Sequence, residues 1–225
     1  MKIPITKYGT PQVVVFPLIV AFLMVLAGFI VPSGLALVTT EAVLLIVLGW
    51  VLAFFRDPQR KILCDEFTLV SPADGLVSDV GVVDDVRFEG GKAFRVGIFL
   101  NIFNVHINRV PCGVRIGGVE YKKGKFKNAM DPESAKVNES NSVTMIRLDE
   151  PFDKLIVRQI SGAIARRIVC GAKDGDELAA GERFGMIKFG SRTELYMPNR
   201  EEIKCLVNIG DKVKAGLTKI VRCEL

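Results

Sequence analysis

Histidine and tryptophan are almost absent from this chain, which has one of each among its 225 residues. The single histidine, His106, excludes every metal centre that is built from several imidazoles. The five cysteines are odd in number and lie far apart, without a Cys-x-x-Cys pair. This spacing argues against both a disulfide framework and a zinc site, and it fits a reducing compartment. We therefore expect no bound metal.

Charged residues are missing from residues 11–40. Residues 11–31 alone are long enough to cross a bilayer at about 1.5 Å per residue. The turn-forming Pro32-Ser33-Gly34 follows, and a second apolar run over residues 35–55 is interrupted only by Glu41. The pattern predicts a membrane-anchoring helical hairpin over residues 1–55. Lys and Arg flank both of its ends, so the positive-inside rule places residues 56–225 in the cytoplasm, at the cell membrane.

Two other interpretations of this segment stay open. A secretory signal peptide would end in a small-residue cleavage site and would not be followed by a second apolar run. A re-entrant or interfacial hairpin, embedded in one leaflet, would accommodate Glu41 and the short turn more easily than two full spans. The net charge of +5 suits an anionic membrane surface and nucleic acid equally, so charge alone does not choose the partner.

The remainder of the chain is rich in short β-branched runs separated by Gly, Asp and Asn. These runs predict strands at residues 68–70, 75–80, 94–100, 143–148 and 155–157. Such spacing is typical of a compact sheet sandwich or barrel with few helices. Residues 160–170 fit either a strand or a helical turn. The polar residues 128–142 predict a solvated, mobile loop.

A short pattern, Gly-Asp-x-apolar-x-Ala-Gly, occurs twice, at residues 175–181 and 210–216. Each copy predicts a turn, a short strand and a second turn. The pattern resembles the hairpins of barrel-sandwich hybrid domains, the fold of biotinyl and lipoyl carriers. The predicted fold class is therefore mainly β, with a barrel-sandwich-hybrid-like domain after the membrane hairpin. Ser191 falls between the two copies.

The stretch from Arg183 to Glu194 carries the first candidate for chemistry. It predicts a short β segment, apolar around an exposed Lys188, that runs into Gly190-Ser191. A glycine before the serine permits backbone conformations that a side chain would forbid. It also leaves the Gly190 carbonyl open to attack by the Ser191 hydroxyl. The ordinary alternative is a strand that ends in a turn serine.

Two further polar groups stand out against the β-rich background. Asp74 lies in the turn-like Ser71-Pro72-Ala73-Asp74-Gly75, and His106 lies in an alternating apolar stretch. Each has an ordinary structural explanation, as a turn carboxylate and as a satisfied histidine. Together with Ser191 they supply a nucleophile, a base and a carboxylate that can orient the base. A nucleophile-elbow hydrolase would need Gly-x-Ser-x-Gly, which is absent here.

Five segments carry distinctive motifs, namely Phe54-Phe55-Arg56-Asp57-Pro58, residues 71–75, residues 103–109, residues 159–169 and residues 183–192. In this order the five segments resemble those of the phosphatidylserine decarboxylase proenzymes, in particular their short prokaryotic group. They cover nearly the whole of the predicted β domain, and their order is far more specific than any single motif.

The resemblance implies a chain that cleaves itself between Gly190 and Ser191. The products would be a β chain of residues 1–190 and an α chain of residues 191–225, with Ser191 converted to a pyruvoyl group. The processing triad would fall on Asp74, His106 and Ser191, with His106 as base and Asp74 holding its tautomer. The pyruvoyl ketone would form a Schiff base with the amine of the lipid, without pyridoxal phosphate or metal.

The substrate that the resemblance implies is a serine-headed phospholipid, phosphatidylserine or archaetidylserine. Its phosphate needs cationic partners, and the candidates near the motifs are Arg109, Arg166, Arg167 and Arg192. Phe103 stands where longer relatives carry a second histidine, so the proton for the carbanion must come from His106, water or another group. The expected partners are the phospholipid, the membrane, the two chains of the precursor and a second copy in a homodimer, with no nucleic acid.

Two functions from other classes remain as alternatives. A membrane-tethered carrier of the biotinyl or lipoyl type would need a modifiable lysine at a hairpin tip, usually flanked by methionines, and Met186-Ile187-Lys188-Phe189 matches this poorly. A membrane serine hydrolase would stay intact and would react with fluorophosphonates, which a pyruvoyl enzyme would not.

Overall fold

A computed structural model describes residues 5–32, 34–127, 134–162, 167–188 and 191–223. The chain divides into two compact units, residues 1–59 and residues 60–225. The helices are α1, Thr10–Ile30; α2, Leu35–Phe54; and the one-turn α3, Ser134–Val137. The strands are β1 Thr68–Val70, β2 Gly75–Asp84, β3 Lys92–Leu100, β4 Ile107–Arg109, β5 Val114–Lys122, β6 Ser140–Arg147, β7 Lys154–Ile160, β8 Ile168–Cys170, β9 Glu177–Leu178, β10 Arg183–Ile187, β11 Ser191–Pro198, β12 Ile203–Cys205, β13 Lys212–Val213 and β14 Lys219–Cys223.

The first unit is a pair of apolar helices that contact each other. Both are long and apolar enough to cross a membrane. The N–H of Thr6 donates to the carbonyl of Phe55 over 3.0 Å, so the start of α1 lies beside the end of α2. The two helices therefore have the hairpin arrangement that the uncharged runs predict.

The second unit is built from antiparallel sheets. The largest is a curled sheet with the strand order β13-β2-β3-β11-β7-β6-β5-β9, and two small sheets have the orders β1-β14-β12 and β4-β10-β8. Buried apolar side chains of the large sheet, such as Val96, Val157 and Leu195, form one core with Leu69 and Phe184 of the small sheets. This mainly β architecture behind two apolar helices confirms the predicted fold class.

The strands of the second unit fall into two equivalent halves. From its centre outward the large sheet runs β11-β3-β2-β13 on one side and β7-β6-β5-β9 on the other. The two sequence copies, 175–181 and 210–216, each place a two-residue strand between glycines of positive φ, as predicted. The N–H of the first glycine of each copy donates a 2.9 Å hydrogen bond, from Gly175 to the carbonyl of Ile116 and from Gly210 to the carbonyl of Val77. Strands β4–β10 form one half, and along the chain they are inserted between β3 and β11 of the other half. Ser191, the first residue of β11, is where the chain returns to that other half.

The polar segment 128–142 needs a correction. Of the described part, residues 138–142 are not a solvated loop, because β6 begins at Ser140 and both Asn138 and Asn141 are buried. The side-chain amide of Asn138 donates hydrogen bonds to the carbonyls of Lys127 and Ser161, at 2.8 Å each. This polar side chain therefore binds backbone groups rather than water. Residues 128–133 lie outside the described residues.

The ambiguous segment 160–170 contains two strand ends. β7 ends at Ile160 and β8 covers Ile168–Cys170, while residues 163–166 lie outside the described residues. The five predicted strands are all present, and most are longer than predicted.

Candidate active site

Ser191 is the first residue of β11, where the chain returns from one half of the domain to the other. It pairs with Leu100 of β3, and alternation along β11 directs Ser191, Thr193 and Leu195 to the inner face. Its side chain is fully buried, and its Oγ has no hydrogen-bond partner within the described residues. Gly190, the predicted acyl donor, lies outside the described residues. A buried, unsatisfied hydroxyl is costly in a folded chain, so it indicates a functional role.

His106 is fully buried just before β4. Its carbonyl accepts a 3.3 Å hydrogen bond from the N–H of Ile187, which brings it to the strand that leads into Ser191. Its Nδ1 lies 3.0 Å from the carbonyl of Asn104. A carbonyl can only accept, so Nδ1 carries the hydrogen and Nε2 carries the lone pair that a general base needs.

Asp74 is held by groups other than His106. Arg60 binds both oxygens of its carboxylate, at 2.6 and 2.8 Å, and the N–H of Ala215 donates to Oδ1 at 2.8 Å. Within the described residues, the Asp74 carboxylate forms hydrogen bonds with Arg60 and Ala215 and none with His106. The hydrogen bond that fixes the His106 tautomer in this structure is the one to the carbonyl of Asn104. The role predicted for Asp74, holding that tautomer, is therefore not visible here.

The Asp74 turn nevertheless lies at the same end of the large sheet as Ser191. Leu76 pairs with Phe99, and Phe99 pairs with Arg192. The start of β2 and the start of β11 are therefore two strand spacings apart, roughly 10 Å. Sequence reasoning selected both residues, and the fold brings them to one edge.

A chain of buried amides, which sequence reasoning missed, connects the elements of the site. Asn108 Nδ2 donates to Thr193 Oγ1 at 3.0 Å, and Asn108 Oδ1 accepts from Gln159 at 2.9 Å. Asn141 then donates to Gln159 at 3.0 Å. The residue type of these Asn and Gln side chains could have identified them in the sequence, because uncharged polar residues at inward positions of strands must find buried hydrogen-bond partners.

Arg192 lies in a buried ion-pair network on the outer face of the large sheet. Its Nε donates to Glu194 at 2.9 Å, its Nη1 to Ser78 at 3.0 Å, and its Nη2 to Asp79. Glu194 also accepts from Tyr196 at 2.6 Å, and burial, followed by the charge of Glu194, raises the pKa of Tyr196 to about 12. The guanidinium of Arg192 is thus committed to carboxylates, on the face opposite to the Ser191 side chain.

The other predicted phosphate ligands differ in their surroundings. Arg109 is buried and donates to the carbonyl of Gly181 at 2.9 Å. Arg167 is exposed, and Arg166 lies outside the described residues. Lys188, predicted to be exposed, is only 6% exposed and directly follows β10. Burial, followed by the charge of Arg167, lowers the pKa of Lys188.

Phe103 lies in the loop between β3 and β4, close to Leu100 and therefore to Ser191. Its side chain is 67% exposed, so it does not belong to the core. In the part of the chain that the structure describes, no group of three or more His, Cys, Asp or Glu side chains is arranged to hold a metal ion.

Comparison with known proteins agrees with the resemblance drawn from the motifs. A family model described as phosphatidylserine decarboxylase matches residues 47–221. The phosphatidylserine decarboxylase proenzyme of Rhodopirellula baltica is 41% identical over 99% of this chain and 90% of its own length. The proenzyme of Carboxydothermus hydrogenoformans is 43% identical over 78% and 80%, respectively. The chain therefore belongs to the phosphatidylserine decarboxylase family, a family of carboxy-lyases.

Proposed function

We propose that this protein is a self-cleaving, pyruvoyl-dependent decarboxylase of serine-headed phospholipids. It converts phosphatidylserine, or archaetidylserine where the tails are ether-linked isoprenoids, to the ethanolamine-headed lipid. The observation that carries the proposal is the Ser191 hydroxyl, which is buried and has no hydrogen-bond partner in the part of the chain that the structure describes. It lies next to the strand that contacts His106, in a chain of this family.

Self-cleavage uses the residues of the chain alone. The Ser191 hydroxyl attacks the carbonyl carbon of Gly190 while Nε2 of His106 accepts its proton, and the peptide C–N bond breaks as the nitrogen takes up a proton. Loss of the Ser191 α-proton and departure of the Gly190 carboxylate leave a dehydroalanine. Water then converts it to the pyruvoyl group with release of ammonia, which gives a β chain of residues 1–190 and an α chain of residues 191–225.

Decarboxylation needs an electron sink, which the pyruvoyl ketone supplies for the carbanion left by carbon dioxide. His106 or a water molecule returns the proton, because the apolar side chain of Phe103 cannot. We assign Asp74 a positioning role, because its carboxylate binds Arg60 and the backbone of Ala215. No residue in this scheme requires a metal or pyridoxal phosphate.

The substrate does not leave the bilayer, and two apolar helices would hold the active site at head-group height. We propose that both ends of the hairpin face the cytoplasm and that the enzyme is a homodimer in the membrane. Protease added to inverted membrane vesicles should digest the β domain, whereas intact right-side-out vesicles should protect it. Protection of the β domain in inverted vesicles would contradict this orientation and place the domain on the opposite side of the membrane.

The carrier alternative is less compatible with the geometry. A carrier lysine must be accessible to its modifying enzyme, and Lys188 is 6% exposed. The hydrolase alternative predicts an intact chain with an unmodified Ser191. The decarboxylase predicts a chain that is cleaved between Gly190 and Ser191, with Ser191 converted to a pyruvoyl group.

Denaturing mass spectrometry of the purified protein beside a Ser191→Ala variant tests the proposal. We expect two fragments that break at Gly190–Ser191, with the smaller one lacking a free amine, and an intact variant. An intact chain in both samples, from a host that processes related proteins, would remove the pyruvoyl mechanism. Labelling of the intact chain by a fluorophosphonate would then favour the hydrolase.

A further inference from the structure

Two cationic side chains stand opposite each other where β8 and β10 meet. Ile168 pairs with Ile187 in this antiparallel ladder. Arg167 and Lys188 form the next pair, joined by a 3.2 Å hydrogen bond from the Lys188 N–H to the Arg167 carbonyl. Directly opposed residues project to the same face, with Cβ atoms about 4.5–5.5 Å apart. The guanidinium and the ammonium can therefore reach one ligand together.

This pair concentrates positive charge in a partly buried place. Like charges directly opposite each other destabilise a sheet. Lys188 is buried whereas Arg167 is exposed, so the lysine carries most of the desolvation cost. The lowered pKa of Lys188 reflects the same two causes. An anion between the two groups would offset both costs through charge-assisted hydrogen bonds.

The pair also lies beside the reacting residues. Lys188 stands three positions before Ser191, and its neighbour Ile187 bonds to the carbonyl of His106 at 3.3 Å. In a serine-headed phospholipid, only two carbons and an ester oxygen separate the reacting amine from the phosphorus. A phosphate subsite must therefore lie within a side-chain length of the pyruvoyl position, and Lys188 is three residues from that position along the chain.

The other described arginines of the predicted phosphate set contact the protein itself. Arg192 binds carboxylates on the opposite face of the sheet, and Arg109 donates to the carbonyl of Gly181. We propose that Lys188 and Arg167 together bind the phosphate of the phospholipid head group, an inference that rests on the proposed function. Lys188 supplies a point charge from within the fold, and Arg167 supplies the planar fork that fits two phosphate oxygens.

The first test measures binding and does not depend on self-cleavage. Full-length Ser191→Ala protein in detergent is titrated calorimetrically with glycerophosphoserine, with O-methylserine, which lacks the phosphate, and with inorganic phosphate. When Lys188→Gln is introduced into the Ser191→Ala protein, the affinity for glycerophosphoserine should fall about ten- to a hundredfold. This is the loss of affinity expected when a hydrogen bond between charged groups is removed. O-methylserine binding should not change.

The control for this test is Lys92→Gln. Lys92 is an exposed lysine at the far end of β3 from Leu100, about 26 Å from the level of Ser191. An equal loss for both serine ligands, an unchanged affinity, or no measurable glycerophosphoserine binding to the parent would overturn the proposal. Inorganic phosphate that binds as tightly as glycerophosphoserine would assign the pair to a free anion instead of the head group.

The second test compares two substrates of the cleaved enzyme, lysophosphatidylserine and O-dodecylserine, which lacks the phosphate. Lys188→Gln should reduce kcat/KM for the phosphate substrate alone, and Lys188→Arg should restore part of it. An equal reduction for both substrates would place Lys188 on the carboxylate or on proton transfer and overturn the phosphate assignment. Failure of self-cleavage in the wild-type chain would sink the proposed function, while the binding test would still report on the pair.

Discussion

Nδ2 of Asn108 donates a 3.0 Å hydrogen bond to Oγ1 of Thr193, and this bond joins the strand that follows His106 to the strand that begins at Ser191. Both partners are fully buried, and each lies two residues from a proposed catalytic group. The bond therefore fixes the spacing between base and nucleophile across two different sheets.

We expect Thr193→Val to weaken this connection while keeping the shape of the side chain. The donor left without its acceptor should cost about 1–3 kcal/mol of stability. The melting temperature of the purified chain in detergent should fall by several degrees, and self-cleavage should slow. Thr144→Val on β6 is the matched control, because its hydroxyl makes no hydrogen bond within the described residues. Equal behaviour of the two variants would contradict a positioning role for the bond.

Asp74→Asn and Arg60→Gln should have similar effects, because each breaks the same buried ion pair. Their side chains are 10% and 6% exposed, and removing one partner of a buried pair costs about 3–5 kcal/mol. Melting temperature and the rate of self-cleavage, followed by gel, should fall in parallel for both variants. A cleavage rate that collapses for Asp74→Asn alone would instead give the carboxylate a direct role at His106.

Arg192→Gln should destabilise the protein without changing its affinity for substrate. The change leaves Glu194 fully buried without one of its cations, and it removes a partner of Asp79. The melting temperature should drop by several degrees while KM for phosphatidylserine in mixed micelles stays constant. Arg115→Gln, which breaks an exposed pair with Glu177, should change neither by much. A selective rise in KM for Arg192→Gln would return this residue to the phosphate site.

Lys188→Met should stabilise the ligand-free protein near pH 7, with a gain that shrinks as the pH rises. Burial and Arg167 lower the pKa of Lys188 from 10.5, so between the two values the folded chain binds fewer protons than the unfolded chain. The cost of the charge is complete below the lowered pKa and disappears towards 10.5, so wild-type stability rises through this window. Melting curves at pH 7 and pH 10 measure the difference, with Lys92→Met as control. A gain of the same size at both values would show that removal of charge is not its cause.

The sequence alone determined the features that depend on neighbouring residues. Two uncharged runs around a turn are long enough to span a bilayer whatever the rest of the chain does, and β-branched runs between turn residues produced the predicted strands. The ordered motifs identified the family and selected His106 and Ser191. The repeated Gly-Asp pattern indicated turns at glycines that do adopt positive φ.

Only the tertiary structure decided which groups meet across long stretches of chain. Lys188 looked exposed by alternation, yet it is only 6% exposed where β10 ends beside β8. Arg192 and Asp74 looked available for substrate and base, but Asp79 and Arg60, far away in sequence, bind them. These pairings follow from strand order and register, which are set by the whole core, so no local pattern could have given them.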